Sequence, residues 1–139
     1  MKILIINGPN LNMLGKREPE IYGSQTLEQI NGQIADYAKK NNVEVEFFQS
    51  NHEGEIIDKI HAAPQNFGGI ILNAGAYTHY SRAIGDAITC VKIPCVEVHM
   101  SNVYARDEFR HTSVLAKNCA GIICGFGAKS YILAIHALV

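Results

Sequence analysis

The chain has 139 residues, 12 Lys and Arg against 13 Asp and Glu, a formal net charge of -1 and 47% hydrophobic residues. That balance excludes a polybasic face for nucleic acid or an anionic membrane, and no apolar run approaches the roughly 20 residues of a membrane-spanning helix. The length predicts one domain, residues 1–139, and the direct entry from Met1 into a short strand without an apolar leader predicts a cytoplasmic protein.

Lys2–Ile6 reads as an unbroken apolar strand. Residues 7–23 follow as N-G-P-N-L-N-M-L-G-K-R-E-P-E-I-Y-G, a loop of asparagines, an arginine and a tyrosine that neither a core nor an ordinary turn requires. A loop of that length in a small domain marks a lid or binding loop. Within it Arg17 and Tyr22 are a candidate pair for base chemistry. A phenol of pKa about 10 is only about a thousandth ionised at pH 7, and a nearby guanidinium shifts it toward phenolate.

Thr26 and Gln29 form a capping box for a helix that buries Leu27, Ile30, Ile34 and Tyr37 and stops near Asn41–Asn42. Val43–Gln49 is the second strand, and Ile56, Ile57 and Ile60 stripe a helix that Pro64 ends. The third strand is Gly69–Asn73, followed by a helix marked by Ala83, Ile84, Ala87 and Ile88. Pro94–His99 is the fourth strand, Thr112–Asn118 allows a short helix, Ala120–Gly125 is the fifth strand and Lys129–Leu138 is the closing helix. Five strands each followed by a helical pattern predict right-handed crossovers and an α/β fold: a three-layer, doubly wound, five-stranded parallel sheet of flavodoxin-like order.

Ligands of such sheets bind beyond the carboxyl ends of the strands. Those ends run into Asn7-Gly8-Pro9-Asn10, Ser50-Asn51-His52-Glu53, Asn73-Ala74-Gly75-Ala76-Tyr77-Thr78-His79 and His99-Met100-Ser101-Asn102, all rich in hydrogen-bonding groups. The opposite ends carry little chemistry, so the ligand expected is small, polar and hydroxyl-bearing. In Val96-Glu97-Val98-His99 the strand period of two sets Glu97 and His99 on one face, where the carboxylate orients the imidazole and supports its protonated form. A base and an oriented acid then share one cleft.

Other motifs fail. Gly8 to Lys16 has six residues between its glycines where a phosphate loop has four, and Arg17 stands in place of the magnesium-binding Ser or Thr. Gly125-Phe126-Gly127 lacks the third glycine of a dinucleotide fingerprint and follows the last strand. A phospho-receiver needs acidic residues where Asn7 and Asn73 stand. The six histidines have no metal spacing, and Cys90, Cys95, Cys119 and Cys124 form two C-x4-C pairs at the loose edge of zinc spacing, read here as reduced, packed thiols.

Six stretches then carry a resemblance: N-G-P-N-L-N at Asn7–Asn12, L-G-K-R-E-P-E-I-Y-G at Leu14–Gly23, Q-S-N-H-E-G-E at Gln49–Glu55, G-A-Y-T-H at Gly75–His79, V-E-V-H-M-S-N at Val96–Asn102 and F-R-H at Phe109–His111. In collinear order from the first strand to the last helix, they resemble the type II 3-dehydroquinate dehydratases. The resemblance implies dehydration of 3-dehydroquinate to 3-dehydroshikimate without metal or organic cofactor, in a homo-oligomer of twelve chains. It fits the shikimate route to aromatic amino acids and quinate breakdown alike, since both use the same chemistry.

Carried over by position, the resemblance implies Tyr22 as general base, with Arg17 holding it as phenolate, and His99 as general acid with Glu97 as its orienter. It implies that Asn12 positions a water at the developing enolate oxygen. Asn73, His79, Met100, Ser101 and Arg110 match substrate-binding positions, and Asp86 matches one contributed by a neighbouring subunit. Departures are Ala74 where proline is usual, Met100 where leucine or isoleucine is common and Thr112 where histidine is often found; none removes a proton-transfer group. The other classes open to this sequence are a non-catalytic sugar-acid binding module and a flavin or nucleotide carrier, the latter wanting aromatic walls and a Ser/Thr-rich phosphate loop after the first strand.

Overall fold

The computed structural model of the chain describes residues 1–139 apart from Arg17, Pro19, Ile21 and Tyr22. Five strands, β1 (Lys2–Asn7), β2 (Glu44–Gln49), β3 (Gly69–Asn73), β4 (Cys95–His99) and β5 (Gly121–Cys124), form one all-parallel sheet in the order β2-β1-β3-β4-β5. This is the flavodoxin-like order expected from the alternation of elements. Four α-helices are described: α1 (Leu27–Lys40), α2 (Glu53–Ala62), α3 (Arg82–Cys90) and α4 (Lys129–Leu138).

Strand alternation divides the core. Ile3, Ile5, Ile71, Val96 and Val98 pack with Ile30 and Ile34 of α1 and Tyr131 and Ile135 of α4. Leu4, Ile6, Ile70 and Leu72 pack on the other face with Ile56 and Ile60 of α2 and Ile84 and Ile88 of α3. Each fully buried side chain of this size contributes roughly 1.5–3 kcal/mol, so both helix layers are held by their apolar stripes. Val91 and the β5 edge are less enclosed, and Ile122 of β5 is exposed.

Local signals set the boundaries. Thr26 accepts from Gln29 N while Gln29 Oε1 accepts from Thr26 N, the reciprocal cap that starts α1. Asn42, at φ 58°, ends it: its N–H reaches Lys39 O and that of Val43 reaches Ala38 O, a left-handed C-terminal motif. Ser81 caps α3 by accepting from Ile84 N.

Two expectations are corrected. Ala83 is exposed, and the buried stripe of α3 is Ile84, Gly85, Ala87 and Ile88. Thr112–Asn118 is not an α-helix but an irregular segment ending in a single 3-10 turn, Ala116–Asn118. Its polar groups are taken elsewhere: Val114 N donates to Thr78 O, and the Ser113 hydroxyl accepts from Leu115 N and Ala116 N. Such side-chain capture competes with a helical ladder.

Candidate active site

The register aligns the carboxyl ends of the central strands, pairing Asn7 with Gln49 on one side and with Asn73 on the other. Gly8 follows at once, and a Cβ there would sit 2.6 Å from Ala74 O, so only glycine lets the first and third loops touch. Above these ends lies a cleft lined by Asn10, Leu11 and Asn73 from the loop after β1 and the end of β3, by His79, and by His99, Met100, Ser101, Arg106 and Arg110 from the end of β4 and the segment after it. It encloses about 670 Å³ including its open mouth, the size of a small-metabolite site. Its described lining contains no Phe, Tyr or Trp.

The base of the cleft is a buried polar cluster. Glu97 is fully buried and His99 is 7% exposed. Val96 and Val98 point into the α1/α4 core, so Glu97 and His99 share the opposite face, as the strand period requires. His99 Nε2 lies 2.5 Å from Glu97 Oε2, which also accepts from Thr78 Oγ1 at 3.2 Å, while Oε1 accepts from Ser113 Oγ at 2.7 Å. A buried carboxylate is tolerable only when paired and hydrogen-bonded in this manner. With Nε2 committed to Glu97, Nδ1 is the His99 nitrogen left for a ligand.

Two further groups shape recognition. His79 ends the 3-10 turn Gly75–His79, and its Nδ1 lies 2.9 Å from Thr112 O. Burial holds the His79 pKa below the ordinary imidazole value; the Thr112 carbonyl opposes the shift, and the charges of His99 and Arg110 add to it. A neutral ring donating through Nδ1 keeps Nε2 as an acceptor, suited to a hydroxyl. Arg106 and Arg110 make their part of the wall cationic, with Arg106 Nη1 3.4 Å from Ser101 Oγ and the Arg110 guanidinium 4.7 Å from the Phe109 ring centroid. Such a wall suits a carboxylate.

Six of the residues singled out in the sequence, Asn73, His79, His99, Met100, Ser101 and Arg110, thus converge on one cleft, with Glu97 directly behind His99. Asn12 is exposed on the 3-10 turn Leu11–Met13 and does not line the cleft, although Leu11 does. Asp86 is exposed on α3, away from the lining of its own chain's cleft. Arg17 and Tyr22 lie outside the described residues. Gly23, next in sequence to Tyr22, lines a second depression that shares Met100, Ser101 and Arg106 with the cleft.

Sequence reasoning missed four participants. Arg106 stands four residues before Arg110, and that pair of cations after β4 in a near-neutral chain was the available signal. Thr78 and Ser113 hold Glu97, and Tyr131 joins Asn7 to Asn73 behind the cleft, but nothing in their local sequence announces these contacts. Of the cysteines, Cys95 is buried, Cys119 and Cys124 half-buried and Cys90 exposed, all as free thiols. A hydrogen bond with Cys119, then burial, pushes the Cys95 thiol well above the ordinary cysteine value, which disfavours the reactive thiolate. Among the described residues no three His, Cys, Asp or Glu gather around a possible metal position, and no helix is long and apolar enough to cross a membrane.

Comparison with known proteins gives the geometry a family context. The family model "Dehydroquinase class II" matches residues 1–139. A protein of Caldicellulosiruptor bescii named 3-dehydroquinate dehydratase is 61% identical over 138 residues, covering 99% of this chain and 95% of its own length. The type II dehydroquinase of Butyrivibrio crossotus superposes with a TM-score of 0.97 at 56% identity, covering 99% of this chain and 97% of that one. That of Propionibacterium acnes gives 0.94 at 41% identity, covering 99% and 94%.

Proposed function

Because the chain belongs to the class II dehydroquinase family, it is a 3-dehydroquinate dehydratase, a hydro-lyase, and we propose that residues 1–139 act as one catalytic domain performing an anti elimination without a cofactor. The buried Glu97–His99 pair at the foot of a cleft walled by two arginines is the observation that carries this reading.

In the proposed mechanism the substrate carboxylate lies toward Arg106 and Arg110, and its ring hydroxyls meet His79, Asn73 and the Met100–Ser101 segment. Tyr22, kept as phenolate by Arg17, removes the proton at C2 beside the C3 ketone. The carbon–hydrogen electron pair moves into an enolate, and a water held by Asn12 stabilises the enolate oxygen. The enolate then re-forms the ketone as the C1–C2 double bond forms and the C1–O bond breaks, with His99 Nδ1 delivering the proton that turns the departing hydroxyl into water. Glu97 balances the imidazolium charge before that transfer. Return of a proton from Tyr22 to His99 through solvent restores the starting state. No imine is required, so borohydride with substrate leaves the enzyme active.

Asp86, exposed on α3, is available to an adjoining subunit in the twelve-chain assembly proposed for this enzyme, working in the cytoplasm. The test is turnover: adding 3-dehydroquinate to the purified protein raises the ultraviolet absorbance of the conjugated enone product. Tight binding of the substrate without that rise would leave a sugar-acid binding module instead.

A further inference from the structure

Ser113 lies outside the cleft lining, yet its hydroxyl is the sole described side-chain donor to Glu97 Oε1, at 2.7 Å. The same hydroxyl oxygen accepts from Leu115 N at 3.1 Å and from Ala116 N at 3.0 Å. Those two donors fill its acceptor capacity, and its one proton is therefore committed to the carboxylate. The other oxygen, Oε2, is shared by Thr78 and by His99. Since Glu97 has no exposed surface, removing the Ser113 hydroxyl leaves Oε1 without its described side-chain donor.

The flanking residues add a second tie. Thr112 O lies 2.9 Å from His79 Nδ1, and Val114 N donates to Thr78 O at 2.8 Å. The stretch 112–114 thus runs along residues 78–79 and bonds to both. One short segment controls the tautomer of His79 through a carbonyl and the orientation of Glu97 through a hydroxyl.

We infer that Ser113 is a positioning residue for the general acid, fixing the Glu97 carboxylate so that Oε2 aims the His99 ring, and that residues 112–114 hold this acid and His79 in one register. The inference deepens the dehydratase reading and rests on it for its kinetic consequences. Without Ser113, the carboxylate keeps Thr78 and His99 on Oε2 but loses the bond that anchors Oε1, and the imidazole faces a less firmly fixed partner. The effect falls on proton delivery rather than on substrate contacts.

The experiment compares Ser113→Ala, Ser113→Cys and Ser113→Thr in the full chain. Ser113→Ala lowers kcat about ten- to hundredfold, the range for a hydrogen bond to a charged group, and leaves KM within about twofold. Ser113→Cys places a polar atom at the same position that is a weak donor to Glu97 and a weak acceptor from Leu115 N and Ala116 N, and it shows a kcat loss of the same kind even if the alanine variant folds poorly. Ser113→Thr, which retains the hydroxyl, keeps kcat within about threefold of the original. In a Glu97→Gln background the further loss from Ser113→Ala shrinks to less than about threefold, because the two residues act as one unit. A purely structural role for Ser113 predicts the same loss in both backgrounds, and that result would overturn the inference.

A readout independent of activity accompanies this. The proton between His99 and Glu97 is read by proton nuclear magnetic resonance as a downfield signal in the unsubstituted protein, assigned by its loss in His99→Ala. Ser113→Ala and Ser113→Cys displace or broaden it, and Ser113→Thr preserves it; an identical signal in all four proteins refutes the positioning role. Absence of turnover in the unsubstituted protein defeats the dehydratase reading, whereas the resonance still decides the role of Ser113.

Discussion

Tyr131 in α4 donates its hydroxyl to Asn7 Oδ1 across 2.6 Å, tying the last helix to the end of the first strand. The same phenol oxygen accepts from Asn73 Nδ2 at 2.9 Å, and Asn73 Oδ1 accepts from Gly75 N, so Asn73 is fixed from behind as it lines the cleft. Tyr131→Phe leaves two buried amides short of a partner. It should cost about 1–3 kcal/mol in denaturant unfolding, and an unchanged midpoint would show the network to be energetically idle. Burial also pushes the Tyr131 pKa well above its ordinary value, with the Asn73 bond opposing. The unfolded phenol ionises near pH 10 while the folded one stays neutral, so this contribution is complete below about pH 10 and is lost as pH rises beyond it. Stability should therefore decline less steeply above pH 10 in Tyr131→Phe than in the unsubstituted chain.

His79 is predicted to titrate below the usual imidazole midpoint, in accord with its burial and the charges of His99 and Arg110. Because its folded pKa is depressed, the associated stability is present above about pH 6.5 and is lost as pH falls through the folded midpoint. Histidine side-chain resonance titration measures this directly. His79→Ala should raise KM more than it lowers kcat, and a midpoint above 6.5 would contradict the neutral acceptor role.

Tyr22→Phe removes the proposed base and should reduce kcat by about 10²–10⁴-fold without altering the circular dichroism spectrum. Arg17→Ala should also lose most activity, through a smaller phenolate population. Near-normal steady-state turnover in Tyr22→Phe sends the search for the base elsewhere.

His99→Ala should abolish efficient loss of the C1 hydroxyl while exchange of the C2 proton with deuterated solvent persists, since separate groups serve the two steps. Glu97→Gln should be milder, retaining the shape and losing the charge. If dehydration and exchange fall together by the same factor in His99→Ala, the division of labour is wrong.

Asp86→Ala should weaken substrate binding without lowering the unfolding midpoint, since the residue is exposed on α3. Light scattering and activity on the same fractions test the shared-site proposal. Activity and an assembly about twelve times the 15.3 kDa chain should disappear together on dilution or in mild denaturant. A fully active monomer would leave Asp86 as an ordinary surface charge.

The sequence by itself determined the alternation of elements, the sheet order and the gathering of polar groups at the carboxyl ends of the strands. These follow from short-range rules: the strand period that sets Glu97 and His99 on one face, the Thr26–Gln29 cap, and apolar stripes such as Ile56 and Ile60. Local pattern failed at Thr112–Asn118, where helical propensity yielded to Thr78, His79 and Glu97, residues distant in sequence. Only tertiary structure could bring Ser113 to Glu97, 16 positions away, or Tyr131 to Asn7, 124 positions away. Such bonds exist because buried polar groups must find partners wherever the packed chain supplies them, and no sequence period encodes which residue that will be.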